Sequence, residues 1–212
     1  MRYVNCSPEI RDYLCAADPV LGAHIRRLGE LRRPMREGLF PALCSSIVSQ
    51  LISKKSAATV YGRLTKLCGG AITPESLGAQ TPEAIQKCGM TMKKAQNLAA
   101  IAGRVLSGET DLSHLDSLSD EEVIRVLSAL PGVGEWTAQM LMIFSMGRPD
   151  VISYKDLGIR RGMMAAYGLD SLDKKQFDAI SAAYHPYAST ASIYLWHLSD
   201  EVSGNVGLAE IN

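Results

Sequence analysis

An almost wholly α-helical fold is predicted by three features of the chain. Apolar residues recur at helical spacing through most of its length. Ser, Thr or Asp followed by Pro or an acid marks the start of one helix after another. No stretch alternates apolar and polar residues for long enough to suggest a sheet. Residues 1–34 form a leading segment, in which Asp18-Pro19 reads as an N-cap with proline at the first helical position. Val20, Leu21, Ile25 and Leu28 give that helix its apolar face, and Pro34 ends the region. From Phe40 to Leu67 two helical halves follow, with Leu43, Ile47, Gln50 and Leu51 spaced on the first and Val60, Leu64 and Leu67 on the second. Between the halves lies Ser49-Gln50-Leu51-Ile52-Ser53-Lys54-Lys55, and Gly69-Gly70 stops the second half.

Thr73-Pro74-Glu75 and Thr81-Pro82-Glu83 each combine a threonine cap, a proline at N1 and an acid in the first turn, so each starts a short helix. A longer helix runs from about Thr91 to Leu106. Ser119-Asp120-Glu121-Glu122 opens the next with a capping-box pattern. Later helices are expected to end near Met146, to cover Leu157 to Met164 and 173–183, and to start near Tyr187 with Ile193, Tyr194, Leu195, Trp196 and Leu198 inside.

Composition excludes several classes. The chain has 212 residues, 47% of them hydrophobic and 21% charged, which suits one or two globular domains with a core that needs no disulfide or metal staple. Formal net charge is zero, so any nucleic-acid footprint must be a local patch. No apolar run approaches the span of a bilayer. The first residues, MRYVNCSPEIRDYL, carry charges where a secretory signal has its apolar core. A cytoplasmic protein is therefore expected. Cysteines at 6, 15, 44, 68 and 88 lack the short spacing of a zinc or cluster site and read as buried fillers or free thiols.

The stretch Leu130-Pro131-Gly132-Val133-Gly134-Glu135-Trp136-Thr137-Ala138 organises the rest. Val123, Ile124, Leu127 and Leu130 make an apolar helical face before it; Ala138, Leu141, Met142 and Ile143 make one after it. Pro-Gly-Val-Gly is too tight for a helix to continue through, which reads as helix, hairpin, helix. The hairpin aims backbone N–H groups at the start of the second helix, a ready anion site. On these residues alone an ordinary tight turn between helices fits equally well. Likewise Asp156, at the start of its helix, reads either as an N-cap or as a functional carboxylate, with Asp150 as its rival.

Four pieces in order carry a resemblance: FPALCSSIVSQLIS, GMTMKKAQNLA, LPGVGEWTAQMLMIFSMGRPDVISYKDLGIRRG and YHPYASTASIYLW. Together, over roughly residues 18–200, they resemble the helix–hairpin–helix DNA glycosylase superfamily, on the alkylbase branch of the 3-methyladenine DNA glycosylase II (AlkA) type. The resemblance implies two helical lobes around a cleft, one from 1–39 with 151–212 and the other from 40–150, in a compact form without an N-terminal β-domain. It implies base-excision repair by a monofunctional glycosylase that flips an alkylated purine, 3-methyladenine or 7-methylguanine, out of double-stranded DNA and hydrolyses its N-glycosidic bond. The alternatives are a glycosylase for a neutral lesion such as hypoxanthine or uracil, and a non-catalytic DNA-binding or damage-sensing module.

The same resemblance assigns roles by residue. Asp156 is the catalytic carboxylate. Trp136 and Trp196 line the base pocket with Met140 and Tyr154, and Tyr184 and Tyr187 are lesser candidates. Leu51 is the wedge that fills the duplex, with Gln50 beside it. The main chain of Gly132, Val133, Gly134 and Thr137 binds phosphate, and the carbonyls of Ser128, Leu130 and Val133 hold a structural Na+ or K+. Lys54, Lys55, Lys93 and Lys94 could flank the DNA. Trp136 stands where lyase-type relatives carry a nucleophilic lysine, so no lyase activity is expected. The last cysteine is Cys88, so no iron–sulfur cluster and no catalytic cofactor are expected, and the protein should act as a monomer. Two positions depart from the pattern: Glu135 puts an acid beside the phosphate site, and Ala188 replaces an arginine.

Overall fold

The computed structural model describes residues 2–204, and among them it holds twelve α-helices and no sheet. The chain divides into two compact units, one built from 2–35 with 142–204 and the other from Arg36–Leu141. Both crossings come earlier than the sequence boundaries. Residues 36–39 join the central unit, where Arg36 donates to the Ser46 hydroxyl at 3.3 Å. Residues 142–150 join the terminal one, because Phe144 packs on Trp196 and Ser189 binds the Arg148 carbonyl.

Helix α1 spans Pro8–Ala17 and α2 Pro19–Leu28. The first was not anticipated, although Ser7-Pro8-Glu9 carries the same punctuation as the two Thr-Pro-Glu sites and Ile10 and Leu14 are buried one turn apart. Asp18 caps α2 as expected, its Oδ1 accepting the Leu21 N–H at 2.8 Å. Val20 is exposed, however, and the buried face of α2 is Leu21, Gly22 and Ile25. Tyr3 and Pro34 form one isolated antiparallel bridge.

In the central unit α3 spans Leu39–Ser49, α4 Lys54–Leu67, α5 Pro74–Gly78, α6 Pro82–Gln86, α7 Met92–Leu106, α8 Asp120–Ser128 and α9 Glu135–Leu141. The caps read from sequence at Thr73, Thr81 and Ser119 are made, and Ser53 and Thr91 cap α4 and α7 in the same way: each of the five accepts a backbone N–H three residues on, and Ser119 and Glu122 complete a capping box. Such caps are worth about 1 kcal/mol each. Leu43, Ile47, Leu64, Leu77, Ile85, Leu98, Ile101, Val123 and Leu127 form the core of this unit. Cys44, Cys68 and Cys88 are free buried thiols among them, and burial pushes the Cys44 thiol up to about 12, so it serves as an apolar filler. Helix α9 does not run to Met146 as a regular helix. It widens into a π-helical turn at Met142–Met146, where the chain passes to the terminal unit.

Helix α10 spans Leu157–Tyr167, α11 Lys174–Ser181 and α12 Ala188–Val202. The core of the terminal unit gathers Ile10 and Leu14 of α1, Leu21 and Ile25 of α2, Ile159 and Met163 of α10, and Ala191, Tyr194 and Leu195 of α12. Two of its tyrosine hydroxyls pair with each other. Tyr167 donates to Asp18 at 2.6 Å and shares a 2.8 Å bond with Tyr184, and burial pushes both phenols well above their ordinary range. Helix α10 reaches α12 because it presents glycine there: a Cβ built on Gly162 would collide with the backbone carbonyl of Leu195.

Gly162→Ala must therefore push a backbone apart. Chemical denaturation should show a loss of about 3 kcal/mol or more, the upper range for overpacking. Around Gly62 of α4 and Gly103 of α7, nothing lies within 4 Å of where a Cβ would stand, so Gly62→Ala or Gly103→Ala should instead stabilise by about 0.5–1 kcal/mol.

Candidate active site

The segment that leads to Asp156 is pinned from α12. The Ser189 hydroxyl donates to the Arg148 carbonyl at 2.6 Å and accepts the Val151 N–H at 2.9 Å. Asp156 then caps α10, its Oδ1 accepting the Ile159 N–H at 2.9 Å. The same Oδ1 accepts the indole N–H of Trp196 at 3.0 Å. Asp156 is only 7% exposed, and a buried carboxylate needs such donors. The α10 dipole also favours its negative charge. Asp156 is thus the helix cap that the sequence allowed, and a buried acid braced by an aromatic donor.

Trp196 is half-buried, with its ring centroid 5.4 Å from that of Phe144 and the rings tilted by 30°. Phe144 escaped sequence reasoning because it sits in the π-helical turn, off the regular helical register. Asp150, the rival carboxylate, is engaged elsewhere. Both its oxygens lie 2.8 Å from His185 Nδ1, and Oδ1 accepts the Ala188 N–H at the start of α12. Ala188 is fully buried, so the arginine contact of the resembled pattern has no counterpart here.

The tyrosines do not join the site. The Tyr154 ring meets Phe177 edge-on at 5.3 Å, with Arg160 and Lys174 over it at 5.2 and 5.8 Å, which makes it a packing residue. Tyr184 is wholly buried against Tyr167, and Tyr187 meets Tyr13 edge-on at 5.2 Å. Lys155 is exposed beside Asp156.

In the central unit, the turn between α3 and α4 carries Leu51, the residue expected to be the wedge. Leu51 has φ 58°, the one non-glycine residue with positive φ among the described residues, and is fully exposed. That geometry costs roughly 1–2 kcal/mol, and an apolar side chain in water adds to it. Local strain at an exposed apolar tip points to a functional position. The turn is held from two sides. Lys94 Nζ donates to the carbonyls of Val48 and Gln50 at 2.9 and 2.5 Å, and Gln50 Nε2 donates to the Gly132 carbonyl at 2.9 Å. Burial pulls the Lys94 pKa down. Lys94 is therefore a cap on the C-terminus of α3, where a cation is favoured, and not a loose basic residue. Lys54, Lys55 and Lys93 stay exposed.

The hairpin is anchored by buried Leu130 and Val133 and closed by the Val133 N–H on the Leu130 carbonyl at 3.1 Å. Gly132 turns at φ 81°, and a Cβ there would strike the buried Asn97 side chain. The Gly134 carbonyl accepts the Ala138 N–H at 3.0 Å, so the amides that open α9, from Glu135 through Thr137, lie at its N-terminus. The Thr137 side chain is buried, which limits its contribution to its amide. Trp136 is 43% exposed on α9, and Met140 is half-buried one turn on.

This arrangement has close counterparts. DNA-3-methyladenine glycosylase 1 of Schizosaccharomyces pombe is 31% identical over 164 residues, spanning 76% of this chain and 72% of the relative. A crystal structure of a DNA-3-methyladenine glycosidase from Bacillus halodurans superposes with a TM-score of 0.87 at 36% identity, covering 99% of this chain and 98% of the other. The Schizosaccharomyces pombe 3-methyladenine DNA glycosylase in complex with abasic DNA superposes with a TM-score of 0.77 at 28% identity, over 89% of this chain and 95% of that one. A family model matches residues 44–184, from α3 through the hairpin and the Asp156 helix to Tyr184. The chain belongs to the HhH-GPD superfamily of base excision DNA repair proteins.

Proposed function

We propose that this protein is a monofunctional DNA glycosylase that releases alkylated purines from double-stranded DNA and leaves an abasic site. The observation that carries the reading is the Asp156 carboxylate, buried at the N-terminus of α10 and held by the Trp196 indole. The names of its relatives support the choice of alkylated bases.

Cleavage breaks the bond from deoxyribose C1′ to the base nitrogen, and the electron pair leaves with the base. The sugar takes on oxocarbenium character, and a carboxylate near C1′ stabilises that charge. Water then adds to C1′ and gives up a proton, which Asp156 would accept. An N3- or N7-alkylated purine is cationic, so it departs as a neutral base and needs no second acid. The aromatic face of Trp196, next to Asp156, suits such a cation, and Trp136 offers an exposed aromatic face of its own. Met140, a polarizable and unbranched side chain, suits a soft pocket wall.

The exposed, strained Leu51 would fill the gap left by a flipped base. The hairpin amides, with the main chain of Gly132, Val133, Gly134 and Thr137, would hold a backbone phosphate. Glu135 opposes that anion while stabilising the start of α9. The carbonyls of Ser128, Leu130 and Val133 would hold a Na+ or K+. The Ser128 hydroxyl fits such a guest, being buried with no hydrogen-bond partner among the described residues. Such an ion would add positive charge that favours a phosphate.

Release of 3-methyladenine or 7-methylguanine from methylated duplex DNA tests the reading. Asp156→Asn should fold, bind DNA and lose roughly 10²-fold or more of the base-release rate. Release that survives the substitution, or release of hypoxanthine or uracil alone, would overturn it. Borohydride added during turnover should trap no covalent protein–DNA adduct, since Trp136 offers no amine; an adduct through Lys155 would show a lyase. Gly132→Ala should weaken binding to damaged and undamaged duplex alike, about tenfold for each charge-assisted hydrogen bond to phosphate that the displaced hairpin no longer makes, measured by fluorescence anisotropy.

A further inference from the structure

We propose that Gly158 is a positioning residue for the reaction: the space left by its missing side chain lets the Trp196 indole N–H hold Asp156. The proposal rests on the assignment of the chemistry to Asp156. Gly158 lies in the first turn of α10, and it is not among the glycines with positive φ. Its backbone therefore does not require glycine, and in a helix glycine costs about 1 kcal/mol relative to alanine. What requires it is room. A Cβ at 158 would lie 2.8 Å from Trp196 Cδ1, 3.2 Å from Trp196 Nε1 and 3.1 Å from Asp156 Oδ1. A methyl group would thus press on both ends of one hydrogen bond.

The neighbours leave little slack. The indole is rigid and already packed against Phe144. Asp156 Oδ1 is fixed from its other side by the Ile159 N–H. Gly162 sits one turn further on α10, but a Cβ there would meet the Leu195 backbone. The two glycines therefore divide the work. Gly162 sets how closely α10 and α12 approach, and Gly158 shapes the space around the carboxylate. Two donors on one oxygen fix the rotation of the carboxylate, and a misplacement near 1 Å can cost about 10²-fold in rate.

The test compares Gly158→Ala, Trp196→Phe and the double variant. Trp196→Phe keeps an aromatic face and removes the indole donor. Each should fold and bind duplex DNA as the wild type does, yet release methylated base in single turnover roughly 10- to 100-fold more slowly. The double variant should lose no more than either single one, since both remove the same hydrogen bond.

The chain has two tryptophans, so nitrogen-correlated NMR should show two indole N–H signals, with that of Trp196 identified by its loss in Trp196→Phe. Gly158→Ala should move that signal toward the position of a water-exposed indole. A full rate in Gly158→Ala, additive losses in the double variant, or an unmoved Trp196 indole signal in Gly158→Ala would overturn the proposal. Should Gly158→Ala fail to fold, Trp196→Phe decides alone: a full single-turnover rate overturns the proposal, and a slowed one with duplex binding intact supports it. A wild type that releases no alkylated base, while its indole signal responds as described, would overturn the alkylbase reading and leave the bond between Trp196 and Asp156 supported.

Discussion

The contact of Gly162 with the Leu195 carbonyl is the constraint on which the terminal unit depends. It brings the axes of α10 and α12 together closely enough for consecutive residues of α12 to serve different ends. The Leu195 backbone is packed on Gly162, and the next residue, Trp196, delivers its N–H to Asp156. A buried carboxylate without donors costs several kcal/mol, and this packing adds the Trp196 N–H to the Ile159 N–H that α10 itself supplies. Fold stability and readiness for chemistry are thus set by the same pair of helices. Ser189, nearer the start of α12, fixes the segment that enters α10.

The central unit solves a different problem. Its hairpin and its α3–α4 turn present exposed groups, and both are loops, which are mobile unless tied down. Here they are tied. Lys94 closes the end of α3, Gln50 reaches the Gly132 carbonyl, and Asn97 lies under Gly132. These bonds hold Leu51 in a backbone conformation that it would not adopt alone. The strain is sustained because the turn is over-determined by its surroundings.

A chain of zero net charge can still offer an anion site, because the positive end of that site comes from backbone amides and not from side chains. Zero charge therefore says nothing against DNA. The basic side chains beside the hairpin and wedge have mixed duties. Lys94 is spent on backbone carbonyls, while Lys54, Lys55 and Lys93 face water.

Much of the fold was legible because its signals are local. Thr73, Thr81 and Ser119 cap the helices they were expected to cap, since a side chain and the amides three residues away are joined by the chain itself. Helix α1 starts at a Ser7-Pro8-Glu9 of the same pattern, although the Ser7 side chain makes no cap there. Tyr154, Tyr184 and Asp150 were beyond local reasoning. Their partners are Phe177, Tyr167 and His185, and only folding decides which face of an aromatic ring or which carboxylate is already engaged. The same holds for Phe144 and Gly158. Spacing places Asp156 and Trp196 on two helices, but their meeting at one oxygen across 40 residues depends on how closely those helices pack, and that distance is set by a backbone contact that no local pattern encodes.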